Sequence, residues 1–257
     1  MNLETLRQIH HCHLLNIPYE NLDVQLDHPL DFDIERIFGK LVEERRGGWC
    51  YEMNGLLGWA LQEIGFNVTR MAGGVMREQR GDSQMGNHLI LGIDLPGRRY
   101  LADTGLGDGI RYPIPIAADT YTQQDLSYEL RRLDGDMWRL SNHEFSNIRS
   151  FDFLNAPADE GLLAEQCHWL QTDPQSPFRQ VMIVQRFSSR SIDVQLGKIH
   201  TRITARGRQS RVIETQEALQ QQLADTFGLT VDIHRIWPQI ESAHQRLFQG
   251  HGSDASF

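Results

Sequence analysis

The chain has 257 residues, 40% of them hydrophobic, and a formal net charge of −9 at pH 7. That is enough to bury a core in one compact unit or a few small domains, and no apolar run reaches the roughly eighteen residues that would span a membrane. The negative balance argues against broad nucleic-acid binding, and with Lys40 and Lys198 as the only lysines an anion would be held by arginines or backbone amides.

The start, MNLETLRQIHHC, lacks the charged-then-apolar pattern of a secretory signal. Cys12, Cys50 and Cys167 are odd in number and have no CxxC spacing, so no disulfide framework is expected and the cytoplasm is the expected compartment. From that start, LETLRQIHHCHLL, DIERIFGKLVEE and CYEMNGLLGWALQEIG carry apolar residues at helical spacing, joined by the loop NIPYENLDVQLDHPLDF. Residues 1–64 therefore read as a helical unit. Short alternating runs with turn signals follow, FNVTRMAGGVM, NHLILGIDL, RRYLADTGLG, SYELRRL and MWRLSN, then RQVMIVQRF and SIDVQL, which predict an antiparallel sheet or barrel. Residues 155–177, rich in Pro, Asp and Gln, read as a connection, and EALQQQLADTFG as the one strong late helix.

Within RRGGWCYEMNG, Cys50 opens a helix whose apolar stripe runs through Met53, Leu56, Leu57, Ala60, Leu61 and Ile64 and stops at Gly65. The thiol sits at the N-terminal end, off that stripe. Free helix N–H groups and the dipole there favour an anion, and reactive thiols in such settings ionise at roughly pH 3.5–7.5 instead of about 8.5. Gly47 and Gly48 allow a sharp turn and leave room for a substrate. A buried cysteine acting as a small hydrophobe is the plainer alternative.

A partner base comes from NHLILGIDLPGRRYLADTGLG, two apolar strands around a Pro-Gly turn. If residues 94–97 form the loop, His88 lies opposite Asp103; if the turn centres on Pro96 and Gly97, the two are diagonal neighbours. In either register they share one face of the sheet, as an oriented base would.

RRGGWCYEMNGLLGWAL, the separations from Cys50 to His88 and Asp103, the loop ADTGLGDG, the early IPYENLD and the later TDPQSPF resemble the arylamine N-acetyltransferase family over almost the whole chain. The resemblance implies an α+β fold with a helical bundle (residues 1–64), a β-barrel (65–173) and an α/β lid (174–257). It further implies a cysteine-protease-like triad, Cys50 as nucleophile, His88 as base and Asp103 as orienter, which moves an acetyl group from acetyl-CoA to an aromatic amine or hydrazine. Arg46 and Glu20 match the family's structural ion pair. Family members usually begin with a further short helix, and this chain starts at what resembles their second. Their loop commonly reads DVGFG where this one reads DTGLG, so Leu106 replaces an aromatic ring.

The reaction expected is ping-pong through an acetyl-cysteine, with no metal. The HHCH run at residues 10–13 points around most of a helix and is a poor metal site. Asn87, Gly105 and Gly107 are candidate contacts for CoA, with Gly73, Gly74 and Gly109 as weaker ones. Leu106 and Phe178 are candidate acceptor contacts, and Phe187 is balanced between acceptor and core. Cys12 and Cys167 are expected to be structural. Two other functions fit the same triad, a thiol hydrolase or transglutaminase-like acyl transferase, and an inactive binding protein of the same fold. The sequence sets no oligomeric state, and neither nucleic acid nor membrane is an expected partner.

Overall fold

The computed structural model describes residues 1–248; residues 249–257, the end of the expected third unit, lie outside the described residues. Helix α1 (Leu3–Asn16) starts where the Asn2 side chain accepts from Thr5 N at 2.9 Å, and it buries Leu6, His10 and Leu14 on one face. The expected loop after it holds strand β1 (Tyr19–Glu20) and helix α2 (Leu22–Gln25). Asp33 caps helix α3 (Ile34–Phe38), which continues as a π-helical turn, Gly39–Glu43. Helix α4 (Cys50–Glu63) is enclosed more completely than its six-residue stripe predicts. Met53 and Leu56 pack on Ile37 and Leu41, Leu57 and Leu61 pack on Leu6, Leu91 and Ile93, and Cys50 and Tyr51 pack with Trp49, Leu163 and Cys167. Ile64, assigned to the stripe, is 43% exposed because the helix has already ended.

Eight antiparallel strands follow α4: β2 (Asn67–Val75), β3 (His88–Leu95), β4 (Arg98–Ala102), β5 (Ile114–Pro115), β6 (Asp119–Gln123), β7 (Leu126–Arg132), β8 (Met137–Ser141) and β9 (Ser150–Leu154). Their order across the sheet is β5-β4-β3-β2-β9-β8-β7-β6. Period-two alternation turns Leu126, Tyr128 and Leu130 inward toward Ile90, Leu101, Phe151 and Phe153. The Tyr121 hydroxyl of β6 donates to Pro115 O of β5 at 3.1 Å, drawing the two edge strands together into a nearly closed barrel. Short helix α5 (Arg77–Arg80) lies between β2 and β3.

Residues 155–177 depart from the expected connection. They form helix α6 (Glu160–Thr172), capped by Asp159 and buried through Leu163, Cys167 and Leu170. Only one narrow stripe is apolar, and the flanking Pro, Asp and Gln obscure it. After α7 (Pro177–Gln180), strands β10 (Ile183–Phe187), β11 (Ile192–Leu196), β12 (Ile199–Thr204) and β13 (Gly207–Val212) form a second antiparallel sheet, with β1 added at its edge. Helix α8 (Gln216–Gln222), the π-helical turn Leu223–Phe227 and α9 (Trp237–Phe248) cover one face through Leu219, Leu223, Phe227 and Ile240. The N-terminal helices, the barrel and this α/β layer make up the α+β fold.

Candidate active site

Cys50 is the first residue of α4 and is 2% exposed. Glu52 Oε2 accepts from Trp49 N at 3.3 Å, an acidic cap for the helix start. Below it runs a chain of buried charges. Lys40 Nζ meets Glu52 Oε1 at 2.8 Å and Asp23 Oδ2 at 2.7 Å, and Arg46 Nη2 joins Asp23 Oδ1 at 2.9 Å to Glu20 Oε1 at 2.8 Å. Burial pushes the Glu52 carboxyl up to about 7 against the pull of Lys40. Burial also works against Asp23, yet Lys40 and Arg46 hold it down at about 2. The expected Arg46–Glu20 pair is thus part of a larger brace. Gly47 and Gly48 admit protein and not substrate: a Cβ on Gly47 would lie 2.3 Å from Pro18 O, and Gly48 bridges Tyr19.

The turn between β3 and β4 is Pro96-Gly97, with Leu95 opposite Arg98, so His88 and Asp103 are the diagonal pair of the two registers considered. His88 Nε2 lies 2.9 Å from Asp103 Oδ2, and both side chains are buried. The other ring nitrogen is left for the thiol, which borders the same cleft and hydrogen-bonds to Asn87 O at 3.9 Å. Burial opposes the imidazole's charge, but the Asp103 carboxylate, and Cys50 after it, raise its pKa to about 10. Asp103 is buried too, and His88, Asn54 and the Gly105 amide hold its pKa below the ordinary carboxylate value.

Two residues that sequence reasoning missed set this geometry. Asn54, one turn beyond Cys50 on α4, donates from Nδ2 to Asp103 Oδ1 at 2.8 Å and to Leu89 O at 2.6 Å, while its Oδ1 accepts from Thr104 N at 2.9 Å. Its signal was a polar residue four places after the thiol, on the same helical face. His10 of α1 accepts from Asp103 N at Nε2 (3.2 Å) and approaches Arg111 O through Nδ1 at 3.1 Å. Burial drives its pKa down to about 4, which keeps the ring neutral, with Nδ1–H as the donor. The HHCH run therefore contributes a brace for the triad loop.

The thiol and imidazole border a cleft lined mainly by apolar side chains, Leu106 and Phe178 among them. Asn87, Gly105 and His88 line it as well. The Asn87 side chain is committed to Val75, accepting from its N at 2.7 Å. Gly105 N donates to Asp103 Oδ1 at 2.8 Å, and a Cβ on Gly105 would stand 2.6 Å from Cys50 Cα. Gly107, at φ +83°, packs on Gln185. These three candidate CoA contacts shape the triad and cleft wall. Gly73 and Gly74 lie within β2, paired to β9. Phe187 belongs to the barrel core, with the Arg111 guanidinium 4.9 Å from its ring centroid. Cys12 is exposed on α1; Cys167 is buried, and burial pushes its thiol pKa up.

The sequence model of the N-acetyltransferase family matches residues 2–236. Arylamine N-acetyltransferase of Escherichia coli is 30% identical over 241 residues, covering 90% of this chain and 84% of the relative. The chain belongs to the arylamine N-acetyltransferase family. The arylamine N-acetyltransferase of Mycolicibacterium smegmatis is 42% identical over 137 residues, a match that spans about half the length of each chain, 51% of this one and 50% of the relative. Among solved structures, the Mycobacterium marinum arylamine N-acetyltransferase superposes with a TM-score of 0.84 at 27% identity, covering 94% of this chain and 93% of that one. The structure of the M. marinum enzyme in complex with CoA superposes at 0.83 with 26% identity, covering 94% and 93%. Fold and family agree with the resemblance first seen around Cys50, and the family makes the protein an acetyltransferase.

Proposed function

We propose that the protein transfers an acetyl group from acetyl-CoA to aromatic amines and hydrazines through an acetyl-Cys50 intermediate. The observation that carries this reading is a thiol at a helix N-terminus that shares an apolar cleft with a histidine oriented by a buried aspartate. In the first half-reaction the Cys50 sulfur bonds to the thioester carbonyl carbon. The tetrahedral adduct collapses with cleavage of the bond to CoA, and imidazolium His88 gives its proton to the departing CoA thiolate. In the second the amine attacks acetyl-Cys50, neutral His88 takes the proton from nitrogen, and the Cys50 thiolate leaves. Asp103 keeps the ring in the required orientation throughout. An aromatic amine is largely unprotonated at neutral pH and attacks without prior deprotonation.

Leu106 and Phe178 form walls of the acceptor cleft in this reading. We assign Asn87, Gly105 and Gly107 to the CoA side of the site, Asn87 and Gly105 through the cleft wall they border and Gly107 through the Gln185 side chain it packs against. The M. marinum relative bound to CoA supports the same cosubstrate here, and relatives named for arylamine N-acetylation and N-hydroxyarylamine O-acetylation support the acceptor class. Hydrolysis by the same triad needs water at the acyl-thiol, which the apolar lining disfavours. Among the described residues no helix is long and apolar enough to cross a membrane. The cytoplasm, where the three free thiols would stay reduced, is the compartment we propose.

Steady-state transfer to an aniline at varied acetyl-CoA tests the reading. Parallel double-reciprocal lines are expected, with no transfer by Cys50→Ala. Transfer at the normal rate by a folded Cys50→Ala protein would overturn it.

A further inference from the structure

Strand β1 places Tyr19 directly opposite Gln185 of β10. Antiparallel partners project to the same face of a sheet, and both residues border the cleft beside Cys50. Tyr19 is 7% exposed and Gln185 is 2% exposed. Among the described residues, neither the Tyr19 hydroxyl nor the Gln185 amide has a hydrogen-bond partner. Beside them on that face, Ile183 and Leu196 pair across β10 and β11 and also border the cleft. Neither the phenol nor the amide is a sealed, orphaned group: with no protein partner, both keep their hydrogen-bonding capacity for what enters the cleft.

We propose that Tyr19 and Gln185 form a hydrogen-bonding subsite of the acceptor cleft that selects amines bearing a neutral polar substituent, such as a phenol hydroxyl or a carboxamide, over apolar amines of similar size. This rests on the acetyl-transfer reading and adds to it the acceptor class. The amide is held in place by the triad loop: a Cβ on Gly107 would stand 1.7 Å from Gln185 Oε1, so the missing side chain is the space the amide fills. Two residues earlier in that loop, Gly105 lies on Cys50, which ties the subsite to the reacting acyl group. The Tyr19 phenol keeps its proton, because burial, then the charges of Cys50 and Asp103, raise its pKa. Tyr19 therefore donates, and the Gln185 amide both donates and accepts. Neither group is a cation, and Arg80 stands exposed at the rim, so a carboxylate drawn to this wall would lose its water without gaining a counterion.

The test compares 3-aminophenol with 3-chloroaniline in the full-length enzyme and in Tyr19→Phe and Gln185→Met. The ratio of kcat/KM for the phenol to that for the chloride should fall about three- to tenfold in each variant, the size of one net hydrogen bond. Dividing by the wild-type ratio cancels the different basicities of the two amines. Ratios that do not move overturn the proposal. So does a loss found wholly in CoA release from acetyl-CoA without amine, which would put these groups at the thioester oxygen. Titrating the same two amines into the unreacted proteins reads the subsite without turnover: the affinity ratio should fall in the same direction. An unchanged affinity ratio sinks the subsite even if the enzyme transfers no acetyl group to either amine, whereas absent transfer with a changed affinity ratio faults only the activity reading.

Discussion

Asn54 Nδ2 lies 2.8 Å from Asp103 Oδ1, so a single amide ties the helix that presents the thiol to the carboxylate that orients the histidine. The same side chain satisfies Leu89 O and Thr104 N. Asn54→Ala leaves those groups buried and unpaired and frees Asp103 to shift. We expect a loss of about 2–4 kcal/mol in urea denaturation and a fall in kcat/KM of roughly 10- to 100-fold from misplacement. Near-normal kinetics in a destabilised variant would make Asn54 a purely structural residue.

His88 sets the alkaline limit. Its pKa is raised from 6.5 to about 10 in the folded state, so the stabilisation from the charged ring is fully present below about 6.5 and is lost as pH rises through 10. Iodoacetamide labelling of Cys50 should proceed at neutral pH with the imidazolium as its partner, and His88→Gln should slow it several-fold there. Identical pH profiles for the two proteins would show that the ring does not serve the thiol.

Lys40 holds two buried carboxylates, at 2.7 Å from Asp23 and 2.8 Å from Glu52. Removing one partner of a buried pair costs about 3–5 kcal/mol. Lys40→Met should destabilise by that order, and adding Glu52→Gln should recover part of it, since a neutral amide needs no counterion. Additive losses in thermal or denaturant unfolding would show that the two residues are not coupled.

Leu106 borders the cleft beside Cys50; if that wall faces the acceptor, as proposed, an aliphatic chain in place of the family's ring removes a stacking surface worth about 0.5–1.5 kcal/mol. Leu106→Phe should raise kcat/KM several-fold for a small aniline or hydrazide and lower it for a bulky bicyclic amine. Equal effects on both amines, or none, would move the search for specificity elsewhere in the cleft.

The placement of the three candidate residues was legible because each is written into local pattern: Cys50 opens an apolar helix, and His88 and Asp103 flank a turn that leaves them on one sheet face. The sequence left two registers open, and the two-residue Pro96-Gly97 loop resolves them. Asn54 was not legible, because a polar residue inside a helix looks like a solvated one until β3 and the Asp103 loop close over it. The same holds for Tyr19 and Gln185, which become neighbours only when a two-residue strand joins a sheet from the far end of the chain. Helix α6 was hidden by its polar flanks; its buried Leu163, Cys167 and Leu170 have meaning only against Trp49 and Tyr51.

The central claim is that Cys50 carries the acetyl group. Incubating the protein with acetyl-CoA and no amine, then weighing the intact chain and its peptides by mass spectrometry, tests that most directly. The account predicts one added acetyl group, located on the peptide containing Cys50, that disappears when an arylamine is added. No adduct, or an adduct on Cys12 or Cys167 that persists in Cys50→Ala, would contradict it.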